Sequence, residues 1–247
     1  MAVADYDEIG VGYARHRQPD PRLAAQFERA LGAASTVLNV GAGTGSYESV
    51  DRAVVAVEPS AVMAAQRPAG AAPVLRAVVE QLPFAGETFD AATMFLTLHH
   101  WADWRVGLRE VQRVARRLVI FTFEPGAHAH CWVVRDYLPA AGRTRSALAP
   151  HLEEVVQALP EARVEVVPVP HDCTDGFLWA YWRRPEQYLD PAVRRGISAI
   201  AQLPPQDVEP GMARLAADLE SGRWHDEHAD LLDLDEVDGG FRLVVAG

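Results

Sequence analysis

The sequence predicts an α/β fold built on a doubly wound, mostly parallel sheet. Short hydrophobic runs alternate along the chain with amphipathic helical patterns. The first run, Val37-Leu38-Asn39-Val40, opens into Gly41-Ala42-Gly43-Thr44-Gly45, and a second, Val54-Val55-Ala56-Val57, ends on Glu58. A strand, a glycine turn and an acid closing the next strand describe a nucleotide-ribose site at the carboxyl edge of a parallel sheet.

Each element has its own signal. Leu23, Phe27 and Leu31 share one face of a helix over residues 20 to 31, and Gly32 stops it. Strands are expected at 37–41, 54–58, 73–76, 90–96 and 118–123. Between the last two, Trp104, Leu108, Val111 and Ala115 form a helical face. Leu152, Val155, Val156 and Leu159 form another helix, which ends at Pro160 and leads into a strand over 164–167. The chain closes on a strand, Phe241-Arg242-Leu243-Val244-Val245.

The interval before that last strand is too long for a structureless loop. It groups Val193, Ile197 and Ile200 on one helical face and Met212, Leu215 and Leu219 on another. Residues 169–239, rich in tryptophan, tyrosine and proline, are therefore expected to form a helical cap serving as substrate lid. The core is then 1–168 plus 240–247.

A chain of 247 residues is long enough for one large α/β domain with such an insertion. Its formal net charge is −11, and all 23 basic residues are arginines. An acidic chain repels phosphate backbones, so no nucleic-acid partner is expected. Arg113-Arg116-Arg117, Arg183-Arg184 and Arg194-Arg195 have acids nearby and read as solvated helix faces. Cys131 and Cys173 permit one long-range disulfide but no zinc pattern. His128, His130 and Cys131 crowd together, and packing is the simpler reading than a metal, which is not expected. The first residues lack a signal-peptide pattern and no apolar run approaches a membrane span, so a cytoplasmic protein without a membrane partner is expected. The oligomeric state is not encoded.

Glycine spacing narrows the ligand. A dinucleotide fingerprint wants glycine at its first, third and sixth positions, but here the glycines are 41, 43 and 45 and the sixth position is Ser46. This resembles the first motif of class I S-adenosylmethionine-dependent methyltransferases. Glu80-Gln81-Leu82-Pro83-Phe84, then Phe89-Asp90, resembles the "LPF…FD" segment of the methyltransferase 11 group, which includes ubiquinone and menaquinone methyltransferase-like proteins. Leu98-His99-His100-Trp101 resembles that group's "HHW", and Leu108-Arg109-Glu110-Val111 the helix that follows. The resemblance covers residues 37 to 123 and implies S-adenosylmethionine as cofactor. It also implies a Rossmann-like sheet of about seven strands with the last one antiparallel.

Carried onto this chain, the resemblance places Gly41, Ala42, Gly43, Thr44 and Gly45 along the methionine and ribose, with Glu58 on the ribose hydroxyls. Pro59, Ser60, Met63, Val79, Glu80, Gln81 and Leu96 would line the rest of the cofactor site. Tyr13-Ala14-Arg15-His16-Arg17 resembles the segment that closes over the cofactor, so Tyr13 or Arg17 would touch the ligand, an arginine pairing with its carboxylate. Two positions depart from the family. Asn39 stands where an acid is usual, and Val78 stands where an acid often meets the adenine amine.

His99 and His100, just past the fourth strand, are candidate general bases for an acceptor that must lose a proton. Asp172, Asp175, Trp179, Tyr181 and Trp182 form an aromatic and acidic cluster suited to an apolar acceptor, with Trp101 beside it. If 176–184 is helical, Asp175, Trp179 and Trp182 or Arg183 share a face. The resulting function is methyl transfer to a small, partly apolar acceptor. The alternatives are a non-catalytic cofactor-binding sensor or scaffold and an NAD-dependent oxidoreductase.

Overall fold

The computed structural model describes residues 17–144 and 149–247. Tyr13 lies outside the described residues. The strands are β1 (Thr36–Val40), β2 (Ala53–Val57), β3 (Val74–Leu75), β4 (Phe89–Phe95), β5 (Ala115–Phe123), β6 (Arg163–Val166), β7 (Val169–Pro170), β8 (Glu236–Val237) and β9 (Phe241–Ala246). Seven of them form one sheet in the order β3-β2-β1-β4-β5-β9-β6. β9 runs antiparallel to both its neighbours, pairing Leu118 with Ala246 on one side and Arg163 with Val245 on the other. The expected late antiparallel strand is therefore β9.

Successive strand residues point to opposite faces, and both faces are covered, which is why the strands read as near-continuous hydrophobic runs. Val37, Ala91, Val119 and Phe121 face one way, toward Leu23, Phe27 and Leu31 of helix Pro21–Leu31. Leu38, Ala92, Met94 and Ile120 face the other, toward Leu108, Val111 and Val114 of helix Trp104–Val114. Asp20 caps the first helix by accepting from Arg22 N–H, and Gly32, with φ 60°, ends it.

The insertion after β6 closes at its neck. β7 pairs with β8, Val169 opposite Val237, so both ends of the insertion are held together. Its helices are short apart from Pro205–Glu220, which carries Met212 and Leu215 inward. The segment 176–184 is a run of turns, so the shared face that a helix there would have given Asp175, Trp179 and Trp182 or Arg183 does not form. The physical reason lies in its carbonyls. Tyr188 Oη donates to Leu178 O, Arg184 to Ala180 O, and Trp132 Nε1 to Trp182 O. Side chains thus take acceptors that an α-helix would use.

The cap is also built from a second stretch of chain. Residues following β5, placed with the core on sequence grounds, pack into the cap. The Trp132 ring lies 5.1 Å from Trp224 and 5.4 Å from Tyr188, and Tyr137 Oη donates to Asp218. Gly211 is glycine because an added Cβ would fall 2.1 Å from Tyr137 O. Phe121 and Phe241 of the sheet and Trp182 and Trp224 of the cap belong to one continuous core.

Candidate functional site

The chain leaves β1, builds β2 and β3 outward, then returns to β4 on the other side of β1. A crevice opens at such a switch point, outside the carboxyl ends of the strands. Here it is a cleft of about 430 Å³ lined by the residues after β1, β2 and β4, within the range of small-molecule sites.

The glycine turn forms its floor. Gly41 and Ala42 donate to Val57 O at 2.9 and 3.0 Å, pinning the turn to the end of β2. Gly41 has φ 67°, and a Cβ there would sit 2.0 Å from Thr97 Oγ1. Gly41→Ala is therefore expected to cost about 2 kcal/mol or more, from left-handed strain and displacement of Thr97. A thermal melt checks it; an unchanged midpoint would mean that the turn relaxes freely.

Glu58, 6% exposed, closes β2 and lines the cleft. Its carboxylate accepts from Gly43 N–H at 2.7 Å and Ser60 N–H at 2.8 Å. Ser60 in turn caps the short helix Ala61–Ala65, which carries Met63 into the cleft. Ala42, Gly43, Thr44 and Pro59 also line the cleft, whereas Gly45 does not.

The acid missing at Asn39 reappears behind it. Asn39 Nδ2 donates to Glu48 Oε1 at 3.0 Å, and Asn39 Oδ1 accepts from Thr93. Glu48 is paired at 2.7 Å with Arg67, both nearly buried. Sequence reading missed Glu48 because the turn separates it from Asn39.

At the other end, Val78, Val79 and Glu80 border the cleft, and Gln81, exposed and outside it, does not. The Glu80 carboxylate accepts from Ala102 and Asp103 N–H, so it braces the loop after the histidines. Trp101, expected beside the acceptor, instead lines this same end, where it and Val79 both pack against Gly107. Its Nε1 donates to Thr97 Oγ1. Leu96 lines the cleft with φ 51°, a left-handed backbone that turns β4 into the histidine loop. His100 faces the cleft, while His99 lies behind it, the ring centroids 3.8 Å apart.

Arg17 lines the cleft too, held by Asp175 through two hydrogen bonds and a bridge between their backbones. Tyr47 Oη donates to the same carboxylate at 3.0 Å. Asp175 is fully buried and lies outside the cleft, so it holds Arg17 rather than an acceptor. Asp172 is half-exposed and pairs with Arg22. Trp182 is fully buried and donates to Val169 O, Trp179 donates to Ala127 O, and Tyr181 packs against Tyr188. None of these cap residues reaches the cleft. Their bulk and hydrogen bonds are used to join the cap to itself and to the segment after β5.

Next to Arg17, Asp20 ties the first helix to the cap. Burial works against its charge, but bonds from the Arg22 side chain and N–H and from Thr174 N–H outweigh it and hold its pKa at about 2. A carboxylate pKa below its unfolded value stabilises the fold above the unfolded pKa, and this is lost as pH falls through the folded one. The contribution is about 2 kcal/mol. Asp20→Asn is expected to lose it at neutral pH and to flatten the acid limb of a stability–pH curve between about pH 4 and 2; parallel curves for the two proteins would refute it.

Residues 38–123 match the methyltransferase 11 family, described as a methyltransferase domain. A solved structure from Anabaena variabilis, assigned as a methyltransferase of an antibiotic biosynthesis pathway, is 30% identical, with a TM-score of 0.88, over 94% of this chain and 99% of that one. The chain belongs to the S-adenosylmethionine-dependent methyltransferases. A demethylmenaquinone methyltransferase of Mycolicibacterium paratuberculosis is 30% identical over 58% of this chain, which spans 63% of that relative's length. A methyltransferase from Thermotoga maritima shares the fold, at 16% identity and a TM-score of 0.53 over 98% of this chain and 94% of that one.

The cleft of this methyltransferase fits the family's cofactor. Glu58, Met63, Val79, Trp101 and Arg17 all line it, and with the cofactor bound Glu58 would meet the ribose diol, the three apolar side chains the base and Arg17 the carboxylate.

Proposed function

We propose that the protein transfers a methyl group from S-adenosylmethionine to a small, partly apolar acceptor bound between the cleft and the cap. One observation carries this reading: the cleft that fits the cofactor shares Arg17, Leu96 and His100 with a second, aromatic-walled chamber under the cap. The names of the quinone-type relatives are consistent with an apolar ring as acceptor.

The bound cofactor supplies a sulfonium-activated methyl group. Glu58 and the glycine turn hold the donor, and Arg17, positioned by Asp175, fixes its charged end. The cap excludes water. Placing the acceptor atom in line with the methyl can contribute about 7–11 kcal/mol. His100 stands at the junction and accepts the acceptor's proton where one must leave.

The test is production of S-adenosylhomocysteine from S-adenosylmethionine with a panel of hydroxylated aromatics, quinols and amines. Acceptor-dependent turnover is expected from at least one apolar ring compound. Tight cofactor binding with no turnover on any class would favour the sensor reading.

No helix among the described residues is long and apolar enough to cross a membrane.

A further inference from the structure

Tyr47, two residues past Gly45, lines the cofactor cleft with its backbone in the left-handed region, at φ 62°. A residue with a Cβ keeps that conformation only where its surroundings fix it, and such positions gather at functional sites. The ring is fixed on two sides. It packs edge-on against Phe27 of the first helix at 5.0 Å and Phe95 at the end of β4 at 5.8 Å. Its hydroxyl accepts from Asp20 N–H at 3.2 Å and donates to Asp175 Oδ2 at 3.0 Å. One side chain thereby joins the glycine turn, the start of the first helix and the insertion.

The hydroxyl is a permanent donor. Burial, with the charge of Asp175 second, pushes the phenol well above its usual value, so it stays protonated at neutral pH. The fully buried Asp175 carboxylate is held from two directions, by Tyr47 on Oδ2 and by Arg17 across both oxygens. Arg17 engages through Nε and Nη2, a side-on pairing that gives the planar fork one orientation. Arg17 precedes the first helix, and its backbone is tied down by the bridge to Asp175. Arg17 and Tyr47 line the cleft, whereas Asp175 does not. The contacts thus run from the glycine turn through Tyr47 to Asp175, and back into the cleft at Arg17.

We propose that Tyr47 is a positioning residue: its hydroxyl orients Asp175, and through it the Arg17 guanidinium that receives the amino-acid carboxylate of S-adenosylmethionine. The insertion is then part of the cofactor site, and it selects an adenosyl thioether that carries an amino acid over one that lacks it. This rests on the methyltransferase reading above.

The experiment is calorimetric titration of the full chain with S-adenosylhomocysteine and with methylthioadenosine, which keeps adenine, ribose and thioether but has no amino-acid end. It compares the wild type, Tyr47→Phe, Arg17→Ala and the double variant. The wild type is expected to bind S-adenosylhomocysteine about tenfold or more tightly than methylthioadenosine. Tyr47→Phe, which keeps the ring, should weaken S-adenosylhomocysteine by about threefold or more and leave methylthioadenosine within about twofold. Arg17→Ala should weaken S-adenosylhomocysteine by about tenfold. Adding Tyr47→Phe to it should change the affinity by less than about twofold, because the hydroxyl acts through the guanidinium. Unchanged S-adenosylhomocysteine affinity in either single variant would overturn the proposal. So would parallel loss of both ligands in Tyr47→Phe, or an equal further loss when it is added to Arg17→Ala. A wild type that binds both ligands equally would also overturn it while leaving the methyltransferase reading intact. A wild type that binds neither would remove that reading and the proposal with it.

Discussion

Replacing Glu58 with alanine is expected to weaken S-adenosylhomocysteine binding by more than tenfold, that is by more than about 1.4 kcal/mol. Two effects add. The carboxylate is the acid at the tip of β2 facing the cleft, and a hydrogen bond to a charged group contributes about 1.5–3 kcal/mol. It also receives Gly43 and Ser60 N–H, so its removal takes away one of the bonds that hold the glycine turn to the end of β2, leaving those from Gly41 and Ala42 to Val57 O. Glu58→Gln separates the two: one amide oxygen still accepts, but the charge is gone and one former acceptor becomes a donor facing an N–H. Calorimetric titration of the three proteins should give affinities in the order wild type, Gln, Ala. Unchanged affinity in Glu58→Ala would remove the ribose assignment.

Trp182→Ala is expected to act on the fold rather than on the acceptor. The ring is fully buried, its Nε1 donates to Val169 O at the neck of the insertion, and its carbonyl receives Trp132 Nε1. Truncating a buried tryptophan costs about 3–5 kcal/mol, a fall in melting temperature on the order of 10 °C for a chain of this size. At low temperature, where the variant is folded, its S-adenosylhomocysteine affinity should match the wild type. An unchanged melt with a raised acceptor KM would restore Trp182 to the acceptor site.

These two residues mark where the sequence was readable and where it was not. Glu58 was legible because strand, turn and acid are contiguous, and local order fixes their relation in space. The sheet was legible for the same reason: Val37 and Leu38 serve opposite faces, and burial on both gives an uninterrupted apolar run. The cap was not. Trp132 and Tyr137 have no regular period, since the chain there coils through a π-helical turn, Val133–Tyr137, and they bind to residues far along the sequence. Asp175 looked like an acceptor ligand among aromatics. Its partner, Arg17, is 158 positions away, a distance no local pattern reveals. His128 showed only its neighbours His130 and Cys131, whereas its aromatic surroundings come from β5 and the far end of the chain.

The central claim is that the cleft holds S-adenosylmethionine. It is tested most directly by calorimetric titration of the wild-type protein with S-adenosylmethionine, S-adenosylhomocysteine and NAD. Micromolar binding of the first two, with no heat from NAD, is the expected result. Binding of NAD alone would contradict the account and reassign the glycine turn to a dehydrogenase.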